Sequence, residues 1–269
     1  MTRRQARKRF GQHFLNDPEV IAAIVNAIAP TKDNVIVEIG PGHGAITMPL
    51  AARAGSLHAI EVDRDLAANL RGQFSGNPRV TIHEADALKF DFAALGESLR
   101  IVGNLPYNIS TPLLFYLLEF RRHICDMHFM LQKEVVDRMA AGPGSKSYGR
   151  LSIMLGCHFA IDALFDVDRL AFTPPPDVTS AIVRLMPLPS GTYDIANETL
   201  LSNLVATAFS QRRKTIRNAL QKIVKEDELT ATGIDPGLRA EAIPISRYVA
   251  LANRIGERTN AVPAPGTLR

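Results

Sequence analysis

The sequence predicts an α/β fold, in which a mostly parallel sheet carries helices on both faces, followed by a small, all-helical C-terminal domain. Short β-branched runs alternate with stretches of helical period up to a proline-rich break at residues 185–191, and helical period continues alone beyond it. The sheet is predicted to end in one antiparallel strand at residues 180–186. The chain has 269 residues, of which 46% are hydrophobic, enough for one full α/β core and a smaller second domain. We assign residues 1–188 to the first domain and residues 189–269 to the second.

The first predicted strand, residues 35–37, leads into a glycine-rich run and then into a helix. Glycines at such a junction let the main chain pass close to a ligand and leave free N–H groups at the helix N-terminus. Gly40, Gly42 and Gly44 have the spacing Gly-x-Gly-x-Gly, whereas the dinucleotide fingerprint has Gly-x-Gly-x-x-Gly to hold a pyrophosphate. The run therefore favours an adenosine-type cofactor and disfavours an NAD-type dehydrogenase.

Acidic residues follow the next two predicted strands. Glu61 ends the strand at residues 57–60, and Asp86 follows the strand at residues 80–82. A carboxylate at the first position accepts hydrogen bonds from ribose hydroxyls, and one at the second can accept from an adenine amino group. Glycine, Glu and Asp at three consecutive strand ends together predict that the chain binds S-adenosylmethionine.

The fourth predicted strand runs into Asn104, Leu105, Pro106 and Tyr107. An amino group on a flat ring is a poor nucleophile because its lone pair is delocalised into the ring. The Asn104 side-chain oxygen and a main-chain carbonyl at Leu105 or Pro106 can hold its hydrogens and draw the nitrogen toward tetrahedral geometry. Tyr107 offers a ring on which the base can stack. The motif predicts methylation of such a nitrogen; the alternative is a strand that ends in a proline turn, with Tyr107 filling the core.

Basic residues are concentrated in two segments, although the net charge is only +4. Residues 1–9 and 211–225 contain no acid and hold these cations: Arg3, Arg4, Arg7, Lys8, Arg9, Arg212, Arg213, Lys214, Arg217, Lys222 and Lys225. Two such segments predict a polyanionic partner, with a solvated charged face as the alternative. The second segment is predicted to lie on a helix over residues 198–225, where Arg212 falls beside the apolar stripe. RNA contact and a brace between the domains both stay open for Arg212.

Five motifs stand in order along the chain, at residues 7–15 (RKRFGQHFL), 37–42 (VEIGPG), 103–110 (GNLPYNIS), 172–176 (FTPPP) and 211–217 (QRRKTIR). Together they resemble the KsgA family of ribosomal RNA adenine dimethyltransferases nearly from end to end. The resemblance implies a Rossmann-like class I methyltransferase sheet, S-adenosylmethionine as the cofactor, and a basic helical domain that contacts rRNA.

The resemblance also implies site residues. Around the cofactor it implies His13, Leu15, Gly40, Gly42, Glu61, Asp86 and Asn104; for catalysis Asn104, Leu105, Pro106, Tyr107 and Phe172; for RNA binding Arg7, Lys8, Arg9, Arg212, Arg213, Lys214 and Arg217. His13 departs from the family, which commonly has Asn there; a side-chain contact would make cofactor affinity pH-dependent, whereas a main-chain contact would change little. Phe172 is expected to stack on the target base opposite Tyr107. The alternative is that the proline run only fixes the start of the next strand.

The substrate implied by the resemblance is a pair of adjacent adenosines near the 3′ end of small-subunit (16S) rRNA, each methylated twice on N6 in an assembling 30S-type particle. Two alternatives stay open. One is an assembly factor for which methylation is secondary, and the other is a drug-resistance methylase that acts on large-subunit rRNA. The basic segment and the proline-rich motif favour the small-subunit type, by resemblance only.

Cysteine content and hydropathy argue against a disulfide-rich, zinc-binding or membrane-spanning protein. Cys125 and Cys157 are the only cysteines and form no CxxC motif, so neither a disulfide framework nor a zinc site is indicated. No apolar run reaches the roughly 18 residues of a membrane span. We expect a monomer in the cytoplasm, with no metal and no membrane partner.

Overall fold

A seven-stranded mixed sheet organises the first of two compact units in the computed structural model, which describes residues 13–261. In sheet order its strands are β4 (Val80–Glu84), β3 (Ser56–Glu61), β2 (Val35–Ile39), β5 (Leu99–Asn104), β6 (Ile124–Gln132), β9 (Ser180–Pro187) and β7 (Phe159–Val167). The neighbours from β4 to β6 are parallel, and β9 runs antiparallel to β6. The predicted fold class, with one antiparallel strand after residue 180, is confirmed.

Helix α1 (Pro18–Ile28) precedes the first strand of the sheet. Helices α2 (Thr47–Arg53), α3 (Arg64–Gln73) and α4 (Ser110–Glu119) lie between parallel strands, as crossover connections require, and α5 (Lys133–Met139) follows β6. Asp17 caps α1 through its side chain, which accepts from the main-chain N–H groups of Glu19 and Val20, and Asp63 caps α3 in the same way. The central strands β2 and β5 are largely buried, as is typical of parallel strands in the middle of an α/β sheet.

A two-stranded ribbon ties the start of the described chain to the proline-rich motif. Strand β1 (Phe14–Leu15) pairs antiparallel with β8 (Phe172–Thr173), and the Asn16 N–H donates to the Ala171 carbonyl at 2.9 Å. Leu15 lies opposite Phe172, and both side chains are buried in the same apolar cluster as Val102 and Ile182. The ribbon therefore anchors His13, which directly precedes it.

The second compact unit is helical and comprises residues 137–159 together with the chain from Leu188 onward. Its helices are α6 (Arg150–Gly156), α7 (Glu198–Phe209), α8 (Ile216–Leu220), α9 (Glu226–Ala231) and α10 (Ile245–Ala261). Residues 137–159 precede β7 and were assigned from sequence to the first domain. They belong here because the buried Tyr148 hydroxyl donates to the Ile243 carbonyl at 3.1 Å and the Gly144 N–H donates to the Glu241 carbonyl at 2.7 Å.

The prediction of one continuous helix over residues 198–225 is wrong. Helix α7 ends at Phe209 and α8 begins at Ile216. Between them the chain makes only local turns, in which the Lys214 N–H donates to the Gln211 carbonyl at 2.9 Å. It then bonds to a distant segment: the Ile216 N–H donates to the Leu238 carbonyl at 2.6 Å, and Thr215 forms a bridge with Arg239. Apolar periodicity continues through the break because both helices bury one face, so the pattern alone cannot reveal it.

His128 is an ionisable residue buried in the middle of β6. Its side chain is 3% exposed, and neither ring nitrogen has a hydrogen-bond partner among the described residues. Burial lowers the pKa of His128 to about 4, although Asp126 opposes the shift. The imidazole is therefore neutral in the folded protein at neutral pH.

We expect His128→Leu to make the protein less sensitive to acid. The unfolded chain protonates His128 near pH 6.5 and the folded chain only near pH 4, so the wild type loses stability as the pH falls through this window. At pH 5 the loss attributable to His128 is about 2 kcal/mol, and near pH 7 it is close to zero. Urea unfolding at both pH values measures it, with His123→Leu, which lies just before the same strand, as the control. Equal pH dependence in wild type and His128→Leu would contradict this assignment.

Candidate active site

The carboxyl ends of β2, β3 and β5 open onto one cavity of about 290 Å³ in the first unit. Parallel strands bring the loops that follow them to the same edge of a sheet, which is where open α/β sheets bind ligands. The predicted site residues that line this cavity are His13, Leu15, Gly40, Gly42, Glu61, Asp86, Asn104, Leu105, Pro106 and Tyr107. Residues distant in sequence thus meet at one site, as the strand-end pattern predicts.

The glycine run after β2 forms a turn that only glycine accommodates. Gly40 and Gly42 have φ values of +68° and +60°, in the left-handed region that side chains disfavour. A Cβ atom at Gly42 would also lie 3.3 Å from the Phe14 ring. The Phe14 ring in turn packs against His43, with centroids 4.2 Å apart. The turn therefore shapes the cavity wall on which a cofactor would rest.

Glu61 joins the glycine turn to the end of β3. Its Oε2 accepts from the Gly42 N–H at 3.1 Å, and its Oε1 accepts from the Asp63 N–H at 2.9 Å. Burial raises the pKa of Glu61, and these main-chain donors oppose the shift. Each carboxylate oxygen has a further lone pair, so the side chain can still accept from two neighbouring hydroxyls such as those of a ribose.

Asp86 and Val62 also line the cavity. The Asp86 Oδ1 accepts from the Leu88 N–H at 3.0 Å, which fixes the carboxylate in a tight turn after β4. Val62 is an exposed apolar side chain, at 52% exposure, and it lines the cavity next to Glu61. It offers an apolar surface against which a purine ring could pack. The sequence reasoning did not single out Val62, although an apolar residue between Glu61 and Asp63 was the available signal.

Glu38 is the second cavity residue that the sequence reasoning missed. It lies within β2, is 2% exposed, and its Oε2 has no hydrogen-bond partner among the described residues. Burial raises the pKa of Glu38 to about 7, the nearby Glu61 contributes to the rise, and the Thr47 hydroxyl opposes it. An unpaired buried carboxylate at a cavity is suited to a cationic ligand group. The signal was an acid inside an otherwise apolar central strand.

The Asn104 side chain is held by the N-terminal segment. Its Nδ2 donates to the His13 main-chain carbonyl at 3.1 Å. A carbonyl oxygen can only accept, so the amide nitrogen faces His13 and Oδ1 is left as an acceptor for a ligand. The Pro106 carbonyl already accepts from the Ile109 N–H at 3.1 Å, which favours Leu105 as the main-chain acceptor beside Asn104.

Tyr107 and His13 present two rings to the cavity. The Tyr107 hydroxyl and Ser180 Oγ are hydrogen-bonded at 2.7 Å, and burial raises the pKa of Tyr107, so the phenol is neutral. The His13 and Tyr107 rings are stacked, with centroids 6.0 Å apart and planes inclined by 27°. The His13 Nδ1 lies 2.8 Å from the Pro174 carbonyl.

Phe172 does not line this cavity. Its side chain is 2% exposed and packs in the apolar cluster around Leu15, Val167 and Ile182. Pairing of β8 with β1 turns the ring toward this core. Phe172 therefore packs as a core residue in this structure, and its stacking on the target base opposite Tyr107 stays a prediction.

The predicted RNA-binding residues differ in their surroundings. Arg7, Lys8 and Arg9 lie outside the described residues. Arg212 Nη2 donates to the Lys146 carbonyl at 2.7 Å and to Glu241 Oε2 at 3.2 Å, so Arg212 connects two segments of the second unit. Arg217 pairs with Glu226 at 3.4 Å. By contrast, Arg213 and Lys214 are exposed and form no ion pair with any described residue.

The described residues contain neither a candidate metal site nor a candidate membrane-spanning helix. Within residues 13–259, no group of three or more His, Cys, Asp or Glu side chains is positioned to hold a metal ion. No helix in that part has both the length and the apolar character needed to cross a membrane. Cys125 and Cys157 are both free thiols.

The sequence is similar to one family of known proteins over almost its whole length. Residues 3–257 match the family model described as ribosomal RNA adenine dimethylase. The chain is 56% identical to the ribosomal RNA small subunit methyltransferase A of Aromatoleum aromaticum, covering 96% of this chain and 97% of that protein. It is 52% identical to the protein of the same name from Bordetella petrii, covering 98% of this chain and all of the relative.

Two solved structures resemble the chain over nearly its whole length. A dimethyladenosine transferase from Plasmodium falciparum superposes with a TM-score of 0.81 at 25% identity, covering 92% of this chain and 98% of that one. The 23S rRNA methyltransferase ErmE superposes with a TM-score of 0.72 at 27% identity, covering 90% and 99%. Both matches cover the sheet unit and the helical unit of this chain.

Proposed function

Because the chain belongs to the ribosomal RNA adenine dimethylase family, we propose that it methylates N6 of two adjacent adenosines near the 3′ end of small-subunit (16S) rRNA. S-adenosylmethionine supplies the methyl groups, and each adenosine becomes N6,N6-dimethyladenosine. The observation that carries the proposal is the orientation of the Asn104 amide. Its Oδ1 is left to accept from an amino group in the same cavity that Glu61 and Asp86 line.

The cavity residues fit S-adenosylmethionine by their chemistry. Glu61 would accept from the two ribose hydroxyls, Asp86 from the adenine amino group, and Val62 would contact the adenine ring. Glu38 would pair with the amino group of the methionine part, which satisfies its unpaired oxygen. When bound, the cofactor supplies an electrophilic methyl group on a sulfonium.

The chain's own residues prepare the target nitrogen. Asn104 Oδ1 and the Leu105 carbonyl would accept the two N6 hydrogens, which draws the nitrogen lone pair out of conjugation with the ring. Tyr107 stacks on the base and holds it at that position. No strong general base is required, because the nitrogen becomes acidic as it bonds to the methyl group. Proximity and exclusion of water in the cavity supply much of the acceleration.

The comparisons support small-subunit over large-subunit rRNA as the substrate. The chain is 56% identical to a relative named for the small subunit and 27% identical to ErmE, which is named for 23S rRNA. We further propose that the substrate is an assembling 30S-type particle in the cytoplasm. The enzyme is proposed to act on it as a monomer.

Methyl transfer to purified ribosomal subunits tests the proposed function. Labelled S-adenosylmethionine is incubated with unmethylated small subunits and, in parallel, with large subunits, and the rRNA is digested to nucleosides. We expect N6,N6-dimethyladenosine from the small subunit alone. Label in the large subunit would indicate the drug-resistance type of enzyme. Binding to small subunits without transfer would indicate an assembly factor.

Asn104→Ala is the matched control in this assay. Loss of one preorganised hydrogen-bonding group in an active site typically costs about 10²–10³-fold in rate. We expect a loss of this size in single-turnover transfer, with only a small fall in melting temperature, because one hydrogen bond to the His13 carbonyl is lost as well. Turnover near the wild-type rate would remove Asn104 from the mechanism.

We expect the affinity for S-adenosylmethionine to rise as the pH rises toward 7. The pKa of Glu38 is about 7 in the free protein, so at lower pH its carboxyl must lose a proton before it can pair with the methionine amino group. The limit is about tenfold in affinity per pH unit. Calorimetric titration from pH 5.5 to 7 measures the slope, and Glu38→Gln should flatten it. An equally steep slope in Glu38→Gln would exclude Glu38 as its source.

Arg213 and Lys214 should contact RNA phosphates, whereas Arg212 should act mainly in folding of the second unit. Replacing Arg213 and Lys214 by Ala should reduce the slope of log affinity against log salt concentration by roughly 1 to 2, because about two phosphate contacts are lost. Arg212→Ala should instead lower the melting temperature, since it removes the contacts with Lys146 and Glu241. An unchanged salt slope in the double variant would show that Arg213 and Lys214 do not contact RNA phosphates.

A further inference from the structure

Ser180 is a buried polar residue at the start of an apolar strand. It is the first residue of β9, its side chain is 0% exposed, and the apolar residues 181–183 that follow it are buried too. A buried hydroxyl requires a hydrogen-bond partner. The partner here is the Tyr107 phenol, whose oxygen lies 2.7 Å from Ser180 Oγ. The buried hydroxyl thus contacts the residue that is proposed to stack on the target base.

The position of Ser180 is set by the sheet. Strand β9 pairs antiparallel with β6, so that Ser180 lies opposite Gln132, and the Lys133 N–H donates to the Thr179 carbonyl at 3.0 Å. In sheet order β6 lies between β5 and β9. Tyr107 follows the end of β5, so its bond to Ser180 spans the end of β6. The Ser180 hydroxyl is therefore held on a rigid element of the fold.

Tyr107 is held by serine hydroxyls at its main chain and at its phenol. Its carbonyl accepts from Ser110 Oγ at 3.0 Å, at the start of α4, and its phenol bonds to Ser180 Oγ. The first bond fixes the turn that carries Tyr107, and the second fixes the far end of the ring. A ring held at its far end loses little freedom when a base stacks on it, which lowers the cost of ordering the site.

The proline-rich motif at residues 172–176 leads along the chain to Ser180. Phe172, at the start of the motif, is buried in the same apolar cluster as Ile182, which lies two residues beyond Ser180. The segment between these two buried residues therefore begins and ends in the core of the first unit. Its placement fixes the start of β9, and Ser180 is the residue through which that placement reaches Tyr107.

We propose that Ser180 is a positioning residue for methyl transfer, which holds the Tyr107 ring in the plane on which the target adenine stacks. This inference rests on the proposed function, because it names the residue that orients the stacking ring at the same site. Ser180 itself touches neither the base nor the cofactor, since its side chain is buried and does not line the cavity. It acts on the reaction through its hydrogen bond to Tyr107.

The test removes either hydroxyl and then both. Ser180→Ala and Tyr107→Phe each delete one partner of the bond and keep the aromatic ring. Each should lower the single-turnover rate at saturating cofactor and small subunits by roughly three- to tenfold, which corresponds to one hydrogen bond. The double variant should be no slower than the slower single variant, because both changes break the same bond.

Binding should change much less than transfer in Ser180→Ala. The affinity for S-adenosylmethionine, measured by calorimetry, and the affinity for small subunits, measured by filter binding, should stay close to the wild-type values. The cofactor does not contact Ser180, and the target base is one contact among many with the RNA. A serine with a purely structural role would lower the melting temperature without separating the rate from binding in this way.

Ser152→Ala is the matched control. Ser152 is also buried, at 2% exposure, and its hydroxyl donates to the Arg138 carbonyl in the second unit. Loss of this hydroxyl should lower the melting temperature. The single-turnover rate, measured well below that temperature, should stay at the wild-type value.

A fluorine label reports on the ring directly and without substrate. The protein has five tyrosines, so 3-fluorotyrosine gives a small set of signals, and the Tyr107 signal is the one missing from Tyr107→Phe. In Ser180→Ala the Tyr107 signal should move while the signals of the other tyrosines stay in place. A Tyr107 signal that stays in place would overturn the inference.

The remaining outcomes separate the two proposals. A wild-type rate in Ser180→Ala with a lower melting temperature would make Ser180 purely structural and overturn the inference. Rate losses that multiply in the double variant would overturn it too, because the two hydroxyls would then act independently. A loss of cofactor affinity as large as the loss of transfer would place Ser180 in cofactor binding instead. Absence of transfer by the wild type would refute the proposed function, and the inference with it.

Discussion

The hydrogen bond from Asn104 Nδ2 to the His13 carbonyl is the interaction on which the site depends. Without it the Asn104 amide could present either its oxygen or its nitrogen to the cavity, and only the oxygen can hold an amino hydrogen. His13 can serve as the acceptor because the ribbon of β1 and β8 holds the chain beside it. A contact between residues far apart in sequence therefore determines the chemistry of a motif that looks local.

Two groups of site residues lie at different positions along the carboxyl edge of the parallel sheet. The ends of β2, β3 and β4 provide the glycine turn, Glu61 and Asp86, whose hydrogen-bonding groups suit an adenosine. The end of β5 provides Asn104 and the residues that follow it, which suit a second, planar group. Glu61 links the glycine turn to the end of β3, because its Oε2 accepts from the Gly42 N–H. The two halves meet in one cavity, as transfer between two bound groups requires.

The strand-end residues could be predicted from the sequence because they depend on local pattern. Each of Gly40, Glu61, Asp86 and Asn104 follows a short apolar strand, and parallel strands bring such residues together whatever the details of packing. The position of Phe172 could not be predicted in this way. An aromatic residue before a proline run can face a core or a cavity, and strand pairing with Leu15 decides which.

The organisation of the helical unit also could not be predicted from local sequence pattern. Residues 137–159 join it through tertiary bonds such as that from Tyr148 to Ile243, which no spacing in the sequence signals. The break before Ile216 likewise arises from main-chain bonds to residues near Leu238. Arg212 and Arg213 are adjacent and chemically identical, yet one has an acidic partner in Glu241 and the other is exposed without an ion pair to any described residue.

A crystal structure with S-adenosylhomocysteine and adenosine bound would show directly whether Asn104 holds the target nitrogen. We expect Asn104 Nδ2 still to bond to the His13 carbonyl, and Asn104 Oδ1 and the Leu105 carbonyl to lie within hydrogen-bond distance of N6. We also expect Glu61 to contact the ribose of the cofactor. An Asn104 amide turned away from His13, or an adenine N6 with no contact to Asn104, would contradict this role of Asn104.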